Sequence, residues 1–265
     1  DRGRVYALDR DTGEEEWVLD GYGGPVKDAI AAASGIIYFS TGQQTYAVDS
    51  ETGEQLWSKQ SGRGAIPTIR EDTAYFYTGT AKALDARSGD TIWEADTNFS
   101  TGSHRPLVTE SRVYAGNGCY DTETGEEIFT FSGNLVTESA VSDDFLFTRE
   151  DGAVQVFDTD SGATVREISV STHIRSILYA EQTLYVGTAQ TDSGGGEGES
   201  GGVLHAIDPE TGTHLWAASA INAELRLSPH TDSGLIFTAG TTGQLFAVEG
   251  GINPFSDATD PAMSG

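Results

Sequence analysis

The sequence has one cysteine, one methionine and three lysines in 265 residues. A single cysteine, Cys119, excludes a disulfide within the chain and leaves the redox compartment open. No run of eighteen apolar residues occurs, so no helix is expected to span a membrane. The opening Asp-Arg-Gly-Arg carries no signal peptide and no starting Met, as expected of a processed or trimmed product. Cations of any kind are scarce. Fifteen Lys and Arg face forty-one Asp and Glu, for a net charge of −26. That sign repels phosphate, so no nucleic-acid partner is expected, nor docking on anionic lipid through charge.

The acidic residues run along the whole chain and are accompanied by much Thr and Gly. This composition resembles that of halophilic proteins, whose self-repulsion salt screens. With 37% apolar and 9% aromatic residues the chain can still bury a sizeable core, so disorder is not expected.

One segment recurs: VYALDRDTGEEEW, TYAVDSETGEQLW, AKALDARSGDTIW, GCYDTETGEEIF, VQVFDTDSGATVR and LHAIDPETGTHLW. Its turn glycines are Gly13, Gly53, Gly89, Gly125, Gly162 and Gly212, spaced 40, 36, 36, 37 and 50 residues. The long interval holds an inserted Gly/Glu/Ser stretch, Ser193 to Gly202. A fixed period of this size marks a solenoid, a propeller or an array. Between the copies lie short β-branched or aromatic runs such as IIYFS, AYFYTG and TLYVG, with no helical period over twelve residues. Four short strands fit one period, so the expected fold is an all-β propeller of four-stranded antiparallel blades. Labelling the strands of a blade A to D from the inside, the chain reads as a C–D pair, five full blades, then strands A, B and C: twenty-five strands. Seven blades fit best with part of the ring missing; eight or six are the alternatives. The propeller occupies 1–250, and 251–265 reads as a flexible C-terminal tail.

The repeat chemistry has a structural purpose. Asp9, Asp49, Asp85, Asp121, Asp158 and Asp208 open D-x-x-[ST]-G turns and are expected to bind turn amides, not metal. The glycine supplies positive φ. All four tryptophans, Trp17, Trp57, Trp93 and Trp216, stand four residues after it, with Phe129 and Arg166 in the remaining slots. They are expected to pack between blades; a stacking platform for a sugar or base is the alternative.

The pattern A-x-D-x-x-T-G-x-x-x-W, over about residues 3 to 250, resembles the repeat of pyrroloquinoline-quinone-type propellers. That family holds quinoprotein dehydrogenases and non-enzymatic members, among them the lipoprotein propeller of the outer-membrane β-barrel assembly machinery. In the dehydrogenases the resemblance implies an adjacent cysteine pair against the cofactor and a calcium ion. Cys119 stands alone, at the C-strand position filled elsewhere by Ala7, Ala47, Ala83 and Ala206, and reads as core. Hence no cofactor, no catalytic residue and no metal is expected. The five histidines, His104, His173, His205, His214 and His230, lack zinc-motif spacing, and His205 and His214 read as exposed strand positions. The acidic GGGEGESGG loop would repel phosphate; Asp192, Glu197 and Glu199 there offer a weak calcium site at most.

The expected function is therefore an exported or cell-surface, monomeric, non-catalytic scaffold that binds other proteins or peptides. A sensor propeller of a larger membrane or kinase protein is the alternative, and a quinone-dependent dehydrogenase a more remote one. The scarce cations supply the candidate site. Lys27, Arg63, Arg105, Arg175 and Arg226, with His104 and His173, fall in or just before A strands of different blades. Gathered at one channel mouth, they would bind an anion or an acidic peptide; pairing of each with a local carboxylate is the alternative.

Overall fold

The computed structural model describes residues 3–22, 24–42, 44–60, 66–97, 104–132, 138–150, 152–170, 173–189, 202–220, 225–228, 235–240 and 245–249. The chain forms two compact units, Asp1–Thr137 and Glu138–Gly265. The first unit holds a two-stranded sheet, β1 (Val5–Leu8) and β2 (Glu15–Leu19). Three four-stranded sheets follow. They are β3–β6 (Lys27–Ala33, Ile36–Ser40, Gln44–Asp49, Gln55–Gln60), β7–β10 (Thr68–Arg70, Thr73–Tyr77, Thr80–Asp85, Thr91–Asp96) and β11–β14 (Leu107–Val108, Arg112–Ala115, Gly118–Asp121, Glu127–Thr130). The second unit holds β15–β18 (Ser139–Val141, Phe145–Glu150, Ala153–Asp158, Thr164–Ser169) and β19–β22 (Ile174–Ala180, Thr183–Ala189, Gly202–Ile207, His214–Ala220). It ends with the three-stranded β23–β25 (Leu225–Ser228, Leu235–Gly240, Leu245–Glu249).

Every sheet is an antiparallel meander in chain order, and no helix occurs among the described residues. The twenty-five strands fall as the repeat predicts, with the C–D pair first and the A-B-C sheet last. The count fits six blades as well as a larger ring lacking a part. Residues 190–201 join strands B and C of one sheet, Ala189 pairing Gly202 across the gap. That loop, with Asp192, Glu197 and Glu199, lies outside the described residues, as do His230 and the 251–265 tail.

The Asp turns form as expected. In one, Asp49 Oδ1 accepts from the Glu51 and Thr52 amides and the Thr52 hydroxyl, each at 3.1 Å. The Gly53 amide donates to the Asp49 carbonyl at 2.9 Å. Asp9, Asp85, Asp121, Asp158 and Asp208 accept the two turn amides in the same way. Each turn lies between strands C and D and introduces one unpaired residue into the ladder, seen as the register shift between Ala47 and Val48.

Adjacent sheets are locked by what stands on strand D. The Trp17, Trp57 and Trp93 indoles donate to the carbonyl just after the next sheet's turn Asp: Ser50 at 3.1 Å, Ala86 at 2.9 Å and Thr122 at 2.9 Å. Two strand-B tyrosines reinforce the same carbonyls, Tyr38 on Ala86 at 3.2 Å and Tyr75 on Thr122 at 3.5 Å. Arg166, in the tryptophan slot, keeps the geometry with other chemistry. Its Nη1 donates to the Pro209 carbonyl at 2.6 Å, and its guanidinium lies 5.2 Å from the centre of the Phe145 ring. The turn glycine is thus required twice. Gly125 has φ +72°, and a Cβ there would come within 2.6 Å of the Trp93 indole. Apolar clusters fill the same interfaces, with Tyr38, Trp57, Phe76 and Leu84 in one and Phe147, Ile168, Ile177 and Leu184 in another.

Candidate functional site

Each expected cation whose backbone is described lies at the start of a first strand. Lys27 opens β3, Arg175 and Arg226 are the second residues of β19 and β23, and His104 and Arg105 precede β11. Arg63 lies outside the described residues. Lys27, His104 and Arg105 belong to the first unit; His173, Arg175 and Arg226 belong to the second.

Within the first unit the best-defined pair is His104 and Arg105. His104 is buried, its ring 4.5 Å from the Tyr77 ring centre. The Gly116 amide donates to its Nε2 at 3.1 Å, so that nitrogen carries no proton. Nδ1 then donates to the Arg105 carbonyl at 3.1 Å. Burial holds His104 below its usual pKa of 6.5, so the imidazole is a neutral prop for the strand entry and not a positive charge. That removes His104 from the cationic set as a charge. Arg105 is different. Its Nη2 donates to the Pro67 carbonyl at 3.3 Å, and the Thr68 hydroxyl returns a bond to the Pro106 carbonyl at 2.5 Å. The segments entering β7 and β11 are thereby laced to each other. Desolvation lowers the Arg105 pKa. Its partner among the described residues is a carbonyl, not a carboxylate, so its charge stays uncompensated in an acidic protein.

In the second unit His173 is exposed at the entry to β19, its carbonyl accepting from the Ala189 amide at 2.8 Å. Arg175 is half-buried one turn of the pleat further on.

A second cationic feature was not evident from sequence. Two of the three lysines, Lys59 and Lys82, line a cleft of about 100 Å³ between β3–β6 and β7–β10, over a floor of Phe76 and Leu84. Lys82 pairs with Glu94 at 2.9 Å, whereas Lys59 is exposed. The spacing of two lysines on different sheets gives no sign of this; only strand register does, by setting Lys59 opposite Thr45 and Lys82 opposite Phe76.

Two expectations about titratable residues have definite outcomes. Cys119 is fully buried opposite Phe129 on strand D, and burial pushes its thiol up to about 12, which makes it inert core. His205 is not an exposed strand position: it is 8% exposed, while His214 is exposed as expected. The reason is its place in the repeat. It precedes the strand-C alanine, in the slot held by Tyr46 and Lys82, on the face turned toward a neighbouring sheet.

Compared with known proteins, residues 1–168 and 77–196 match the family described as outer membrane protein assembly factor BamB. The chain belongs to that family. Its fold is the β-propeller, as in the crystal structure of BamB from Moraxella catarrhalis (TM-score 0.66, 18% identity, 93% of this chain and 82% of that one). A europium-containing methanol dehydrogenase has the same fold (TM-score 0.62, 14% identity, 93% of this chain and 74% of that one). Among curated proteins, the dehydrogenase subunit of a quinone alcohol dehydrogenase from Gluconacetobacter polyoxogenes is 26% identical, covering 69% of this chain and 31% of that protein. The chain therefore spans about a third of the length of the curated relatives it matches. Members of the BamB family and quinone enzymes share this propeller, and the repeat alone does not separate them.

Proposed function

We propose that this BamB-family propeller is a non-catalytic scaffold, working outside the cytoplasm or on the cell surface, that captures acidic peptide segments of partner proteins at its strand-A entries. Arg105 carries the reading. A partly desolvated guanidinium held by a carbonyl is a costly arrangement that an incoming carboxylate improves. Lys27 opens the first strand of another sheet of the same unit, and Arg175 and Arg226 stand near the starts of first strands in the other unit. A body of net charge −26 repels acidic chains everywhere else, so such a patch selects where they land. His173 adds a donor at one entry, and His104 acts by positioning Arg105.

A labelled glutamate-rich peptide titrated by fluorescence anisotropy, at the lowest KCl that keeps the protein folded, tests this. Saturable binding that Arg105→Gln weakens at least tenfold is expected; equal affinity in the variant refutes the site. A second reading, a portion of a quinone-dependent dehydrogenase, is favoured by the quinone alcohol dehydrogenase relatives. The lone cysteine weighs against it. Dye-linked alcohol oxidation after addition of pyrroloquinoline quinone and calcium separates the two, with no activity expected of the scaffold.

A further inference from the structure

We propose that His205 and His214 form a binding site for a divalent transition-metal ion of the kind that prefers imidazole. The two rings lie with centroids 5.4 Å apart and their planes nearly perpendicular. Two imidazoles sharing one tetrahedral ion, at metal–nitrogen distances of about 2.0–2.1 Å, have ring centres roughly 5 Å apart. The backbone places them together. Ile207 pairs with His214 across β21 and β22, and His205, two residues before Ile207, shares its face.

His205 supplies the second observation. More than nine-tenths buried, it has neither ring nitrogen hydrogen-bonded. A neutral imidazole always presents one N–H and one lone pair, and leaving both unmet in the interior is unfavourable. Sister sheets do not leave this slot unmet. Lys82 there pairs with Glu94 at 2.9 Å, and Gln155 donates to Glu167 at 2.7 Å, each across to strand D. Opposite His205 stands Ala217, which offers nothing, and the ring turns to His214 instead.

His214 is prepared as a ligand. Its Nε2 lies 3.2 Å from the Ser169 carbonyl, which can only accept, so Nε2 carries the proton and Nδ1 is left with its lone pair. A ligating histidine commonly anchors its second nitrogen on a carbonyl in this way. Among the described residues no third His, Cys or carboxylate completes the set. An ion held there would complete its shell with water from the side of the exposed His214. Imidazole ligands favour zinc, copper and nickel over the calcium and magnesium that carboxylates attract.

Zinc is the probe. Titration calorimetry in 2 M KCl with excess Mg²⁺, which occupies surface carboxylates, should show one equivalent bound, and the imidazole nitrogen resonances of both residues should move. His214→Gln should weaken binding at least tenfold and His205→Gln likewise, while His173→Gln leaves it unchanged. Should His205→Gln fail to fold, the exposed His214→Gln decides alone. Undiminished binding in His214→Gln, no zinc uptake, or zinc displaced by Mg²⁺ overturns the proposal.

Discussion

Replacing Gly125 by alanine probes the lock between neighbouring sheets, because the same turn exists elsewhere without the lock. Gly13 and Gly125 share a φ of +72° and the same Asp-turn hydrogen bonds. A Cβ at Gly13 meets nothing within 4 Å, whereas at Gly125 it falls 2.6, 2.7 and 2.8 Å from Cδ2, Cε3 and Cγ of Trp93. The left-handed backbone costs any non-glycine residue about 1 kcal/mol. That is the whole expectation for Gly13→Ala. In Gly125→Ala the indole must also retreat. It then gives up its bond to the Thr122 carbonyl, about 1 kcal/mol, and strains a filled interface by about 1–2 kcal/mol. The two variants should therefore differ by about 2–3 kcal/mol in urea denaturation followed by intrinsic fluorescence in 2 M KCl. On a Trp93→Ala background the cost of Gly125→Ala should shrink toward that of Gly13→Ala. Equal costs for the two glycine variants, or an undiminished Gly125 penalty without Trp93, would refute the interlock.

Arg166→Met should lose about 1.5–3 kcal/mol by removing the charged bond to Pro209. Arg166→Trp should stay within about 1 kcal/mol of the parent, since the tryptophan slot makes the same bond elsewhere; no effect of Arg166→Met would count against the equivalence. His205 titrates below its unfolded value, so between pH 6.5 and about 4 the unfolded chain binds more protons and metal-free stability falls as pH falls. The slope is up to about 1.4 kcal/mol per pH unit. His205→Leu should reduce the slope of the urea midpoints across that range, leaving the share that the buried His104 contributes. Below it the turn aspartates add to the loss. Asp49, held low first by the Thr52 amide, and Asp9, held low first by the Thr12 hydroxyl, lose that stabilisation as pH falls through their folded values. The net charge of −26 should make the melting temperature rise between 0.1 M and 2 M KCl, as screening shortens repulsion to roughly 3 Å at 1 M; an unchanged melting temperature would reject halophilic behaviour.

Much of the architecture was legible because it repeats. Six D-x-x-[ST]-G turns announced the C–D hairpins, and a local hydrogen-bond pattern needs only the residues that make it. The tryptophan slot was read as inter-blade packing, but its acceptor was not, since the Ser50, Ala86 and Thr122 carbonyls have no side-chain signature. Arg166, which sequence places in the tryptophan slot, proves to be its chemical equivalent. His205 was misread because its face is set by the register of β21 against its neighbours, a fact that alternation alone does not reveal. Of the cationic set, the sequence could place Arg105 at a strand entry but not its carbonyl partner, and it could not foresee that His104 is held neutral.

The locks all point one way along the chain. Each donor finds its acceptor downstream, at separations of 33, 29, 29 and 43 residues. A nascent sheet leaving the ribosome therefore carries an unmet donor until the next turn has been synthesised, and that turn closes the lock as it forms. Assembly can proceed in step with translation, one sheet behind the exit tunnel, through contacts of short sequence separation that form quickly.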